Sequence, residues 1–172
     1  MIVRRLEIGD ELAFQRACRE WTDSSFEFFL GYTPEMSFKD YLELKNANEK
    51  GERLDIGFVP DTFLCGFVDG VIIGRVSVRH ELSKYLMQVG GHIGYAVIEP
   101  YRNRGYAKQM LRESLKIARS LGIDRVLMTC DDDNMASIKT IESAHAKLEN
   151  KIELIDRSVP KRRYWVELSS EY

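Results

Sequence analysis

The sequence predicts an α/β (α+β) fold of about six to seven strands interleaved with helices, and three stretches carry that prediction. Thr62 to Phe67 and Val71 to Val78 are β-rich runs separated by Asp69-Gly70, a strong hairpin signal. Ala107 to Leu121 bears Met110, Leu111, Leu115 and Ala118 on one helical stripe, with Lys108, Arg112, Glu113, Lys116 and Arg119 mostly opposite. A short strand-forming run stands on either side of that helix, one with Ile93, Tyr95 and Val97 and the other from Arg125 to Cys130.

The remaining elements follow in order. Ile2 to Ile8 alternates weakly and reads as a first strand, and Gly9-Asp10 offers a turn and an N-cap. Phe14, Ala17, Cys18 and Trp21 recur at helical spacing, which predicts a helix over 11–21. Ser24 to Thr33 is rich in aromatic residues and has no clear period. Ser37-x-x-Asp40 resembles a capping box and opens a second helix that Gly51 can end. Glu81 to Gly90 is a connection without a clear pattern. Pro100 stops the strand before it, and Gly122 is placed to end the long helix. Asp131 to Asn134 closes the next strand and opens a helix running to about His145. Leu148 to Ile155 and Tyr164 to Leu168 then read as a terminal antiparallel pair around Ser158-Val159-Pro160.

Bulk properties set the frame for function. A chain of 172 residues predicts one domain spanning 1–172. A net charge of −2 gives no overall attraction to nucleic acid or to an anionic membrane, so neither is expected as a partner. No apolar run is long enough to span a bilayer, and the opening Met-Ile-Val-Arg-Arg lacks the apolar core of a signal peptide. Cys18, Cys65 and Cys130 are odd in number and widely spaced, which fits a reducing cytoplasm better than a disulfide framework or a zinc site.

The stretch Gly91 to Ala107 organises the functional reading. A strand runs into Arg102-Asn103-Arg104-Gly105-Tyr106-Ala107 and then into a helix. A helix N-terminus leaves N–H groups unpaired and favours anions. Gly105 lets a backbone approach an anion closely, and Arg102 and Arg104 add full charges. From the residues alone this is a plausible pyrophosphate cradle, or an ordinary helix start with two solvated arginines. A P-loop is excluded, since no Gly-x-x-x-x-Gly-Lys-Ser/Thr occurs.

Arg-x-x-Gly-x-Ala after a Pro-ended strand resembles the acyl-CoA motif of the GNAT superfamily of N-acetyltransferases. The element order resembles that family over the whole chain, and the specific motifs cover about 91–149. The resemblance implies a mixed, mostly antiparallel central sheet with helices on both faces and a splayed central strand pair. It implies acetyl-CoA as cosubstrate, with no metal, and an acetyl transfer to the primary amine of a small molecule or a peptide. The cofactor contacts it implies are Tyr95, Ala96 and Val97 on the strand, Arg102 to Ala107 in the loop, and Asn134 and Ser137 at the next helix start. Asn134 is equally suited to be a plain N-cap. Some family members dimerise through their terminal strands, so a homodimer stays open.

The sequence departs from the family at one catalytic position. Many relatives carry a Tyr seven residues after the Asn, placed to protonate the departing thiolate, and here that position is Ile141. Tyr106 and Tyr32 are alternative donors. This departure leaves a non-catalytic acyl-CoA-binding module as a second reading. For the base that accepts the amine proton, His92 is the candidate, beside a structural role for its ring. Glu27 is a weaker candidate and Glu35 another, each also readable as a surface carboxylate. Asp131, Asp132 and Asp133 are either a site attracting a cationic amine or a solvated turn. His80 and His145 are too scattered for a metal site. The run Lys161-Arg162-Arg163 before Tyr164 and Trp165 raises RNA as a third reading, against a solvated hairpin turn.

Overall fold

At the Asp69-Gly70 turn both residues have positive φ (49° and 77°), the signature of a tight type I′ hairpin. It joins β2 (Asp61–Val68) to β3 (Val71–Arg79) at the centre of a four-stranded sheet. β1 (Ile2–Arg4) pairs with β2 and β4 (Ile93–Val97) pairs with β3, both antiparallel. A second sheet has the order β5 (Arg125–Asp131), β7 (Lys161–Glu167), β6 (Lys147–Ile152), again antiparallel throughout. The computed structural model describes residues 1–23, 26–155 and 157–168.

Helices cover both faces of the first sheet. On one side α4 (Tyr106–Ser120) buries Met110, Leu111, Leu115 and Ala118 against Leu64, Val76 and Val78. Each large apolar side chain removed from water there contributes about 1.5–3 kcal/mol. On the other side α1 (Glu11–Glu20) and α2 (Phe38–Glu49) bring Phe14 and Tyr41 onto Phe63, Cys65 and Phe67. One extra residue in β3 makes this possible. Gly66 faces Gly74 and Phe67 faces Ile72, so Ile73 has no partner in the register. A bulge of this kind flips the alternation, which places Ile72 in the aromatic core and Val76 in the α4 core.

Several boundaries differ from the sequence expectation. The first strand ends at Arg4, and Ile8–Asp10 is a 3-10 turn. The Asp10 carboxylate accepts from the Glu7 N–H and from the Arg4 guanidinium, which draws the chain out of the sheet. Part of the aromatic stretch is core: Phe28 and Phe29 are buried against Trp21 and Phe14, while Phe26 is exposed and Ser24 and Ser25 lie outside the described residues. The Glu81–Gly90 connection holds a short helix, α3 (Lys84–Gln88), capped by Ser83. The Ser37 cap of α2 is as expected, with the Ser37 hydroxyl accepting from the Asp40 N–H and donating to its carboxylate. β7 begins at Lys161, so the basic run is strand and not turn.

Among the described residues the strands of the two sheets are bonded to each other at one place. Gly91 bridges Met128, the His92 N–H donates to Leu127 O at 2.8 Å, and the Gly90 N–H donates to the Thr129 hydroxyl at 2.8 Å. Beyond His92, β4 pairs only with β3 and β5 pairs only with β7. The expected splayed pair is therefore β4 and β5.

Candidate active site

The splay leaves part of the β4 backbone without a ladder. Arg79 N–H bonds to His92 O and Ile98 N–H bonds to Ile73 O, which fixes the alternation along β4. Gly94 and Ala96 thus turn their backbone groups to β3. The N–H groups of Tyr95 and Val97 turn the other way, toward β5, with which no ladder forms among the described residues. The Val97 carbonyl takes a bond from Arg102 Nε at 3.0 Å, tying the strand to the loop that follows.

That loop ends in an open helix start. Asn103 and Gly105 both have positive φ (61° and 80°). Gly105 is the N-cap of α4 and offers no side chain to its first-turn N–H groups. Arg102, Asn103, Arg104 and Gly105 are exposed, and Tyr106 and Ala107 are half-buried. Arg104 lies 5.9 Å from the Tyr101 ring centroid. Two cations and a bare helix N-terminus thus meet where β4 ends.

α5 (Met135–Glu142) closes the other side. Asn134 is its N-cap: its Oδ1 accepts from the Ser137 N–H at 3.0 Å. The Tyr95 hydroxyl reaches across from β4 and donates to the Ser137 carbonyl at 3.4 Å. Burial pushes this phenol up to about 12, so it is protonated at neutral pH. The structure thus brings Tyr95, Asn134 and Ser137 together between the sheets. Ala96 lies on the opposite face, buried in the aromatic core. Ile141 is buried in the α4 core. Tyr32 stacks edge-on against Phe14, in the core with α1 and α2, away from α5.

His92 bridges the sheets. Its Nδ1 accepts from the Leu127 N–H at 2.9 Å, so the neutral ring carries its proton on Nε2. Burial, with the Arg79 charge in support, holds it down from 6.5 to about 4. The geometry is that of the structural role. It has a consequence for stability. Between pH 6.5 and 4 only the unfolded chain takes up this proton, so stability falls as pH drops through that window. We expect a loss of about 2 kcal/mol from pH 7 to pH 5 in urea unfolding, absent in His92→Gln. A wild-type stability unchanged over that range would mean that the folded ring ionises freely.

The other charged candidates are spoken for in different ways. The exposed Glu27 carboxylate accepts from the Gly31 N–H at 2.9 Å, and Glu35 is exposed on the same connection. Asp131 pairs with Lys161 at 2.6 Å, and Asp132 pairs with Lys151 at 2.9 Å and with Arg162. Arg163 pairs with Glu149 at 2.8 Å. Asp131 and Asp132 are thus neutralised by Lys151 and the basic run, while Asp133 is exposed. His80 Nε2 lies 2.9 Å from the Thr62 hydroxyl, and His145 is exposed. The three cysteines are free thiols. Among the described residues no group of three or more His, Cys, Asp or Glu is placed to hold a metal, and no helix is long and apolar enough to cross a membrane.

Two further residues escaped the sequence reading. Arg75 and Arg79 sit in β3, and Arg75 is only 5% exposed. The signal was present: charged residues inside an otherwise apolar strand are rarely buried without a reason.

Comparison with known proteins agrees with this fold. The chain resembles a putative acetyltransferase of Salmonella typhimurium solved with its cofactor acetyl-CoA, at 14% identity and a TM-score of 0.64, over 98% of this chain and 94% of that one. It resembles an acetyltransferase of the GNAT family from Streptococcus pneumoniae at 16% identity and a TM-score of 0.64, over 98% and 99%. A ribosomal-protein-alanine N-acetyltransferase of Brucella melitensis aligns at 15% identity and a TM-score of 0.62, over 98% and 100%. None of the curated proteins matches the sequence. The model of the acetyltransferase (GNAT) family matches residues 14–145, most of the chain, and the protein belongs to that family.

Proposed function

We propose that the protein is an acetyl-CoA-dependent N-acetyltransferase acting on a primary amine. The observation that carries this reading is the wedge between β4 and β5. Its unladdered Tyr95 and Val97 N–H groups lead to the uncapped start of α4 beside Arg102 and Arg104. The Salmonella protein's bound acetyl-CoA supports the choice of cosubstrate.

Acetyl-CoA would supply an acyl group already activated as a thioester. The first-turn N–H groups of α4, with Arg102, Asn103, Arg104, Gly105, Tyr106 and Ala107 around them, would hold the pyrophosphate. The N–H groups of Tyr95 and Val97 would pair with the pantetheine arm and donate to the developing oxyanion. Asn134 and Ser137 flank the arm from α5. Tyr95 Oη, protonated and half-buried, is the donor for the released sulfur in place of the phenol missing at Ile141. His92 holds the junction of β4 and β5, and Glu27 is the exposed carboxylate left as a candidate base.

Two measurements test this. A ligand at a hundredfold its Kd stabilises by about 2.7 kcal/mol. At roughly 2–4 °C per kcal/mol, acetyl-CoA should raise the melting midpoint by about 5–10 °C, and ATP should not. No shift at millimolar acetyl-CoA removes the reading. Tyr95→Phe should lower kcat by about 10²-fold with acetyl-CoA affinity kept. An unchanged kcat would take Tyr95 out of the chemistry. Ile141 favours one second reading, a non-catalytic acyl-CoA-binding module, in which acetyl-CoA stabilises the wild type but no amine releases thiol.

A further inference from the structure

The face of the first sheet that carries α1 and α2 holds an unbalanced set of buried charges. Arg75 and Arg79 point there from β3, beside Asp61 on β2 and Lys45 on α2. Asp61 is engaged already: Oδ2 accepts from the Ser77 hydroxyl at 2.6 Å, and Oδ1 lies 3.5 Å from Lys45 Nζ. Among the described residues no carboxylate lies within 4.0 Å of either guanidinium. Their hydrogen bonds go only to carbonyls. Arg75 reaches Gly94 O at 3.2 Å and Glu27 O at 3.3 Å, and Arg79 reaches Gly90 O at 3.2 Å and Gly91 O at 3.0 Å. Arg75 Nε is buried with no partner at all. The Glu27 carboxylate does not help, being turned to the Gly31 N–H.

Two like charges held together out of water are costly, and a structure keeps them when an anion completes the set. The two heads converge on one place. A Cβ built on Gly94 would lie 3.4 and 3.5 Å from Arg79 Nη2 and Nη1, and 3.7 Å from Arg75 Nη1. Gly94 puts no side chain of its own against the two heads and is only half-buried. It directly precedes Tyr95, whose N–H borders the wedge. Phe26 covers Arg75 from the α1–α2 connection, 5.4 Å from the guanidinium to the ring centroid, and is itself exposed.

We propose that the acceptor is an amine that also bears a carboxylate, held by Arg75 and Arg79 over Gly94 so that its amino group meets the β4 edge. The inference rests on the acetyltransferase reading and narrows its substrate class. Polycationic amines are disfavoured, because they would bring further positive charge against one buried and one half-buried arginine. Forked guanidiniums grip a carboxylate through paired N–H donors, so lysine in their place keeps the charge and loses the fit.

The test uses matched compounds on the full chain. Thiol release from acetyl-CoA is followed with amino acids, their amides and the corresponding amines without the carboxyl group. The acids should exceed the amides by about 100-fold in kcat/KM, since leaving a buried charged group unpaired costs that order. Arg79→Lys should raise KM for the acid about tenfold and leave KM for the amide in place, a split that a purely structural arginine would not produce. Thermal stabilisation by N-acetylated amino acids against their amides, without acetyl-CoA, reads the arginine site by itself. Preference for the acid there, lost in Arg79→Lys, supports the site even if acetyl-CoA itself fails to bind. Equal response to acid and amide in both assays, or turnover confined to polyamines, overturns it.

Discussion

Gly105→Glu is expected to abolish stabilisation by acetyl-CoA while the fold survives. Gly105 is exposed, and an added Cβ would meet nothing within 4 Å. The change therefore creates no clash. Its φ of +80° makes any side chain pay about 1–2 kcal/mol of backbone strain. An acidic group near a helix N-terminus returns about 0.3–1 kcal/mol of that. The melting midpoint of the free protein should thus fall by only a few degrees. Binding should respond very differently. The carboxylate stands where the proposed pyrophosphate would meet the first turn of α4, and like charges set directly against each other cost several kcal/mol. We expect affinity to fall at least about 100-fold by calorimetry. Undiminished affinity would remove the assignment of this loop, whatever the protein then proves to do.

Gly91→Ala should be the most damaging single methyl group in the chain. Gly91 has φ +62°, and a Cβ there would sit 2.3 Å from Leu127 O and 2.9 Å from Leu127 C. Both neighbours are backbone of β5, so no side chain can swing away. The substitution must push the two sheets apart at the place where they touch. A loss of about 3 kcal/mol or more is expected, or roughly 6–12 °C in melting midpoint. Gly57→Ala is the control, because φ there is +88° but nothing lies within 4 Å. It carries the strain without the collision. Equal melting of the two variants would show that the junction yields.

Legibility in the sequence followed the range of the interactions. The Asp69-Gly70 hairpin, the α4 stripe and the Ser37 cap are local, and each stood where residue pattern placed it. The first strand is shorter than its pattern suggests because the Arg4–Asp10 ion pair bends the chain, and a pair across six residues leaves no periodic trace. The basic run was read as a turn, whereas its charges face Asp131, Asp132 and Glu149 on neighbouring strands. Only the register of β5, β7 and β6 brings those groups together. In the same way, the loop at Gly105 was visible as a motif, but Tyr95 reaching Ser137 depends on the splay of β4 from β5. Arg75 and Arg79 carry no local mark of their role, because an apolar strand looks alike from either face. The bulge at Ile73 decides which face each residue takes.

The narrow junction between the sheets also bears on cooperativity. Each sheet is drawn from one contiguous half of the chain, β1 to β4 from Ile2 to Val97 and β5 to β7 from Arg125 to Glu167. Among the described residues the strands of the two halves are bonded at Gly90–His92 against Leu127–Thr129; Arg163 Nε to Met87 O and Tyr95 Oη to Ser137 O add side-chain ties, and α4 spans the rest through side-chain packing. Units joined in this way open separately, so their amide protons should exchange with solvent in two protection classes that follow the halves. A molecule lodged between β4 and β5 would bind both units at once and merge the two classes. Exchange rates would then report occupancy of the wedge without any assay of turnover.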